Sequence, residues 1–487
     1  MSLRFPKDFK FGFSESGFQF EMGLPGSEDP NSDWWIWVHN MENIMSGLVS
    51  GDFPEDGPAY WNLYKEDHDR AEKLGMDAAR IGIEWSRIFP KPTFDVKVDV
   101  EETKDGIVSI NIEENHLKEL DEHVNKKNLE HYREMLSDWK NRDKTLIVNL
   151  YHWPLPLWIH HPINFKMSGF KERSGWLDKR TVVEFAKYAA YIAWKFDDLV
   201  DMWSTMNEPN VVYITGYLQI KSGFPPAYLS LPALLKAMKN MIEAHARAYD
   251  AIKSITKKPV GLIHSVVWFE PLSPKDRETA EAIAEDYMYR FLDPITSGKL
   301  LGATVREDLK NHLDWLGVNY YSRIVVKKAA EKLQKMGIQY YTLPGYGLMC
   351  APNSKSLAGR PTSDFGWELY PEGLEKILLA LNERYKVPMM ITENGIADSK
   401  DILRPNYVVS HLYKVYSAIK RGINILGYLH WALTDNYEWS SGFKMRFGFY
   451  QVNYQNKKRY IRPSALIFKS IAEEKAIPEE LTHLTTV

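Results

Sequence analysis

Cysteine is nearly absent: Cys350 stands alone among 487 residues, so no internal disulfide can form and a reducing compartment is the expectation. Long hydrophobic runs are missing as well. Nowhere do eighteen uncharged apolar residues follow one another, which excludes a membrane-spanning helix. The opening Met1-Ser2-Leu3-Arg4-Phe5-Pro6-Lys7 holds no apolar stretch of the kind a signal peptide needs, and a cytoplasmic protein is expected. Charge of one sign is not in excess either. The formal net charge is -3 and basic pairs such as Lys257-Lys258 and Lys327-Lys328 are isolated, so no stripe could follow a phosphate backbone and nucleic acid is excluded as a partner. No glycine-rich phosphate loop recurs, and no Gly/Ser or Pro run marks a linker.

What the chain does have is aromatic surface. Sixteen Trp and 27 Tyr exceed what a core alone demands, and these side chains pair a flat apolar face with a polar tip, the complement of a sugar ring. For any single one of them, plain core packing is the alternative reading.

Short apolar segments alternate with longer amphipathic ones, as when parallel strands are joined by crossover helices. The strands read as Phe9–Gly17, Ala78–Phe89, Thr145–Trp153, Met202–Glu208, Val260–Phe269, Trp315–Ser322, Met389–Glu393 and Ile423–Leu433. The helices between them read as Tyr60–Leu74, Lys127–Trp139, Arg180–Phe196, Leu231–Ser254, Thr279–Gly298, Pro371–Arg384 and Pro405–Lys420. Eight strand-helix units predict an α/β fold, a single (β/α)8 TIM barrel spanning 1-487. Two stretches break the alternation, about 92-128 and 332-367, and read as loop insertions. The first carries alternating Val96, Val98, Val100 and, past Asp105-Gly106, Val108, Ile110, Ile112, an exposed hairpin. Because both follow barrel strands, both are expected over the C-terminal face, where barrels keep their active sites.

The ends of the predicted strands hold the chemistry. Strand four ends Thr205-Met206-Asn207-Glu208-Pro209 and strand seven Ile391-Thr392-Glu393-Asn394-Gly395. A carboxylate closing an apolar strand is costly to bury unless paired or hydrogen-bonded, so two across one barrel mouth point to an acid/base pair; the alternative for either is a structural carboxylate capping a loop.

Asn207-Glu208-Pro209 and Thr392-Glu393-Asn394-Gly395 resemble the two signature motifs of glycoside hydrolase family one. Phe11-Gly12-Phe13-Ser14 with Gln19, the run from Arg80 to Arg87, Tyr151-His152-Trp153-Pro154, Asn319-Tyr320-Tyr321 and the run from Trp431 to Phe447 are similar to further family blocks, in the family's order. The long insertions are similar to those of its archaeal, thermophilic members. The resemblance implies a retaining, exo-acting β-glycosidase acting on unphosphorylated β-glucosides and β-galactosides, with transglycosylation as a side reaction. It implies Glu208 as acid/base and Glu393 as nucleophile, with Arg80, Asn207 and Tyr321 in support. Gln19, His152, Asn207 and Glu438 would hold the hydroxyls of the terminal sugar, Trp153, Trp431 and Trp439 would wall its pocket, and Trp367 would be a platform for the leaving group. Phe447 joins the substrate-binding set: with Met445 it occupies places where relatives acting on 6-phosphorylated sugars carry Lys and Tyr, while Lys444 lies one residue away. No cofactor and no metal is called for, and His160-His161 lacks further ligand spacing. Relatives often assemble, which implies a homo-oligomer, a dimer or tetramer. The competing reading is a catalytically silent sugar-binding protein on the same barrel.

Overall fold

The computed structural model describes residues 2–169, 171–300, 304–335 and 337–487. Eight parallel strands close into a barrel: β1 (Lys10–Ser14), β2 (Ala78–Gly82), β3 (Thr145–Asn149), β4 (Met202–Asn207), β5 (Val260–Pro271), β6 (Trp315–Lys328), β7 (Met389–Asn394) and β8 (Ile425–His430). Each pairs with its neighbours in chain order, and β8 returns to β1 with Tyr428 opposite Phe11. The strands read as nearly continuous apolar runs because a parallel strand in such a barrel is covered on both faces; every residue of β2 is buried. Ala78, Ile147, Ile263, Trp315, Met390 and Leu429, from six strands, form a separate apolar cluster that plugs the barrel axis.

The helices follow in the order expected: α1 (Tyr60–Lys73), α2 (Lys126–Lys140), α3 (Arg180–Phe196), α4 (Leu231–Ile255), α5 (Arg277–Ala284 with Arg290–Ser297), α6 (Pro371–Tyr385), α7 (Arg404–Lys420) and α8 (Pro463–Glu474). Proline at the first turn of α6, α7 and α8 removes an N–H that has no partner there. The fifth helix is not continuous. It runs Arg277–Ala284, widens into a π-turn at Glu285–Tyr289 and resumes as Arg290–Ser297. Among the described residues no helix is long and apolar enough to cross a membrane.

Several strands end earlier than their apolar runs. Past Gly82 the chain turns into a short helix, Trp85–Ile88, and Trp431, Ala432 and Leu433 follow β8 as buried loop. Residues folded over the mouth are as dry as those in the strands, so hydrophobicity alone overstates strand length. Conversely β5 and β6 extend beyond expectation, pairing as far as Pro271 opposite Val326.

The two insertions go to different places. Leu348, Phe365 and Trp367 of the second line a cavity at the mouth, as expected. The hairpin of the first, Asp99–Thr103 with Gly106–Asn111, lies against the flank instead. Arg247 on α4 donates to the carbonyls of Ile107 and Val108, Glu243 accepts from the Ile107 amide at 3.2 Å, and Arg306, ahead of β6, donates to the Asp105 carbonyl at 2.6 Å. This corrects the expectation that both insertions overhang the active face. Ile107 is buried against the helices, and burying that apolar side decides where the hairpin rests.

Candidate active site

Glu208 follows β4 in the left-handed region (φ 49°, ψ 55°), immediately before the helix Pro209–Tyr217. A non-glycine residue is held there only when its surroundings over-determine it. Three strands further round the barrel, Glu393 on β7 stands in register with Asn319 on β6. The loop after Glu393 must pass very close to β8: a side chain at Gly395 would meet the Trp431 carbonyl at 1.7 Å, which explains the glycine.

Both carboxyls line one cavity of about 370 Å³ at the C-terminal mouth, together with Gln19, His152, Trp153, Tyr321, Trp367, Trp431, Glu438 and Trp439. Glu208 and Glu393 are both buried, 6% and 4% exposed, and their surroundings differ. Arg80 Nη2 donates to Glu393 Oε1 at 2.7 Å and the Tyr321 hydroxyl to Oε2 at 2.7 Å. Glu208 accepts a single bond, from Asn319 Nδ2 at 2.9 Å. Burial, followed by the charge of Glu393, pushes the Glu208 carboxyl up to about 8, against the smaller downward pulls of Asn319 and Arg80. Tyr321 is held well above the ordinary phenol range by burial and the same carboxylates, so its hydroxyl remains a donor.

A chain of hydrogen bonds ties the two carboxyls together. Asn319 Nδ2 also donates to Asn207 Oδ1 at 3.1 Å, and that oxygen accepts from Arg80 Nη1 at 2.8 Å, the same guanidinium that reaches Glu393. Thr392 Oγ1 donates to Asn319 Oδ1 at 2.7 Å and so fixes which way the Asn319 amide faces. Asn319 and Thr392 sit inside motifs singled out in the sequence that give neither of them a role; a polar residue directly after an apolar run is the available signal.

Beside the two carboxyls the cavity is lined by further polar side chains. Gln19 takes a bond from Ser16 Oγ at 2.8 Å and gives one to Asn436 Oδ1 at 3.1 Å. His152 Nε2 meets Asn207 Nδ2 at 3.2 Å, and burial with the nearby Arg80 charge pulls this imidazole well below its ordinary value, leaving it neutral. His152 Nδ1, Glu438 Oε2 and Asn436 Nδ2 are buried with no partner in the structure. Buried polar atoms are expensive to leave unpaired, so those of His152 and Glu438, both in the cavity lining, mark a place for a hydroxylated ligand. Glu438 is also pushed up to about 8, by burial and then by the Glu393 charge.

Trp153, Trp367, Trp431 and Trp439 all line the cavity, and Phe447 does not. Trp153 donates its indole N–H to the Asn207 carbonyl at 3.1 Å, Trp153 and Trp439 pack at 4.5 Å, and Trp367 stacks on Phe365 at 4.4 Å and 4°. Phe447 is a correction: fully buried, it packs behind Tyr321 and Trp367 at 6.2 Å and supports the wall without forming it. Arg80 and Asn207 likewise lie directly behind the wall, both 0% exposed. Lys444 is exposed and does not line the cavity. His160 is engaged by Asp33 at 2.6 Å, away from this site.

The model of glycosyl hydrolase family 1 matches residues 1–98 and 119–477; the internal unmatched stretch covers the whole flanking hairpin. A β-galactosidase of Saccharolobus solfataricus is 54% identical over 486 residues, covering 99% of this chain and 98% of that protein. The crystal structure of the β-glycosidase from the hyperthermophile Thermosphaera aggregans superposes with a TM-score of 0.96 at 56% identity, covering 99% of this chain and 100% of that one. The hyperthermophilic β-glucosidase of Pyrococcus furiosus superposes with a TM-score of 0.93 at 57% identity, covering 99% and 98%. With its barrel, its paired carboxyls and a match running through nearly the whole sequence, the chain belongs to glycosyl hydrolase family 1 and is a glycoside hydrolase.

Proposed function

We propose that the protein is a retaining, exo-acting β-glycosidase that works by double displacement. The observation that carries this reading is the contrast between its two carboxyls. Glu208 is dry and keeps its proton into neutral pH, whereas Glu393 receives a cationic and a neutral donor on its two oxygens. Retaining catalysis needs that contrast, because two negative charges about 5–5.5 Å apart repel.

In the first step Glu208 gives its proton to the glycosidic oxygen while a Glu393 oxygen attacks the anomeric carbon; the bond to the leaving group breaks and a glycosyl ester forms. The charge on Glu393 is thereby lost. The largest electrostatic push on Glu208 goes with it, so Glu208, now ionised, can accept a proton from water. That water attacks the anomeric carbon, the ester bond breaks, and Glu393 is restored as a carboxylate. Two inversions give net retention. A sugar hydroxyl in place of water would give transglycosylation.

His152 and Glu438 bring unspent polar atoms to the terminal sugar, with Gln19 beside them in the cavity wall and Asn207 positioned behind. A Glu438 carboxyl in the cavity, and a Lys444 that is exposed and outside it, leave no cation for a phosphate and favour an unphosphorylated sugar. The relatives named as β-galactosidase and β-glucosidase support both glycone types. A silent binding protein would have no use for a buried, proton-holding Glu208.

Glu393→Gly with added azide tests the reading. An α-glycosyl azide is expected, since azide would enter from the side vacated by the nucleophile; a β-glycosyl azide would refute the assignment.

A further inference from the structure

Past Glu208, the cavity wall built from β5, β6, the helix Pro209–Tyr217 and the second insertion is mostly apolar, with Val211, Ile214, Val266, Val267 and Leu348 on it. Two of its hydroxyls are spent on backbone: Thr215 Oγ1 donates to the Val211 carbonyl at 2.6 Å and Ser322 Oγ to the Glu368 carbonyl at 2.7 Å. Ser265 and Tyr287 differ. Both line the cavity, and their hydroxyls bond to each other at 3.1 Å. Such a pair has two O–H groups and uses one, so one hydrogen stays free to donate into the cavity, and each oxygen keeps acceptor capacity.

This pair is held by a costly device. Tyr287 sits at the centre of the π-turn Glu285–Tyr289, and a π-turn gives up regular helical hydrogen bonds in order to reposition side chains. The carbonyls it leaves are taken up locally: Asn210 Nδ2 donates to the Tyr287 carbonyl at 3.3 Å, and His264 Nε2 meets the Met288 carbonyl at 3.0 Å. The same Asn210 amide donates to the Ser265 carbonyl at 3.0 Å. Asn210 is two residues from Glu208. One side chain therefore positions both members of the pair relative to Glu208, and burial together with the Glu208 charge keeps the Tyr287 hydroxyl protonated.

We infer that the Ser265–Tyr287 hydroxyl pair selects hydroxylated leaving groups, binding the second sugar of a β-linked disaccharide across from the Trp367 face. This rests on the glycosidase reading proposed above. An aryl leaving group can use the apolar wall but has no hydroxyl for the pair, whereas a sugar has several, so removing the pair should penalise the two substrates unequally. A neutral hydrogen bond is worth about three- to tenfold in binding.

The experiment measures kcat/KM of wild type, Tyr287→Phe and Ser265→Ala on a β-1,4-linked glucose disaccharide and on 4-nitrophenyl β-glucoside. The ratio of disaccharide to aryl activity should fall about three- to tenfold in each variant, because either change removes one acceptor oxygen and the bond that orients the remaining hydroxyl. If Tyr287→Phe does not fold, Ser265→Ala carries the same comparison. An unchanged or increased ratio in a folded variant overturns the inference while leaving the glycosidase reading intact. Failure of the wild type to hydrolyse either substrate overturns both.

Discussion

Asn319 gives one amide nitrogen to two acceptors, Glu208 Oε1 at 2.9 Å and Asn207 Oδ1 at 3.1 Å, and thereby links the carboxyl that holds a proton to the network that serves Glu393. A bond donated to Glu208 favours its ionised form, so losing that bond should raise its pKa further. Asn319→Ala should therefore move the alkaline limb of the kcat/KM profile on an aryl β-glucoside to higher pH. It should also cost about 1–3 kcal/mol of stability, because Thr392 Oγ1 and Asn207 Oδ1 lose a buried partner. A limb that stays in place or moves down would contradict this role.

Glu208 makes function and stability oppose each other. Its folded pKa, about 8, lies above the ordinary 4.5, so between those values the folded state retains a proton that the unfolded chain has released. Stability tied to this group is full below about 4.5 and falls as pH rises toward about 8. Glu208→Gln removes that dependence and keeps an oxygen for Asn319. Thermal unfolding should give a higher Tm for this variant at pH 7 to 8 and a smaller gain near pH 4, while hydrolysis of substrates with poor leaving groups is lost. A Tm gain that is constant with pH would show that the proton is not the cause.

The barrel and the two carboxyls were legible because period and chemistry coincide there: a strand of apolar residues ending in Asn-Glu or Thr-Glu is hard to explain by packing. Strand ends were not, since Trp431 and Leu433 are as buried in the mouth loop as they would be in a strand. The π-turn at Glu285–Tyr289 leaves no mark in an amphipathic pattern, because one extra residue in a helix of this length barely alters its periodicity. The position of Phe447 behind the wall and of the hairpin on the flank depend on packing between segments far apart in sequence. Asn319 could have been found, for it closes an apolar run just as Asn207 does.

The hairpin's distance from the mouth separates stability from activity. Arg247, nearly fully buried, is bonded to hairpin carbonyls and pairs with Asp308 at 3.1 Å. Arg247→Ala should cost about 2–3 kcal/mol, at the low end for such a pair because Asp308 keeps some contact with water. It should leave KM for an aryl β-glucoside within about twofold, as no residue of this cluster lines the cavity. Denaturant unfolding and steady-state kinetics on the same preparation check both parts, and a large rise in KM with little loss of stability would place the hairpin in substrate binding after all.

Glu438 and Glu208 are both pushed up to about 8, and both feel the charge of Glu393. A single alkaline limb in the rate profile could thus belong to either group or to the coupled set. Their tasks differ, however. Glu208 must deliver a proton in the first step, while Glu438 offers an unpartnered buried oxygen to a sugar hydroxyl, which it can do in either state. Glu438→Gln removes one titration and preserves an acceptor oxygen. It should raise KM about three- to tenfold, keep a descending alkaline limb, and move that limb slightly downward, because an ionised Glu438 would have added to the repulsion that holds the proton on Glu208. Disappearance of the limb in this variant would assign it to Glu438 and remove the pH evidence for Glu208 as the acid.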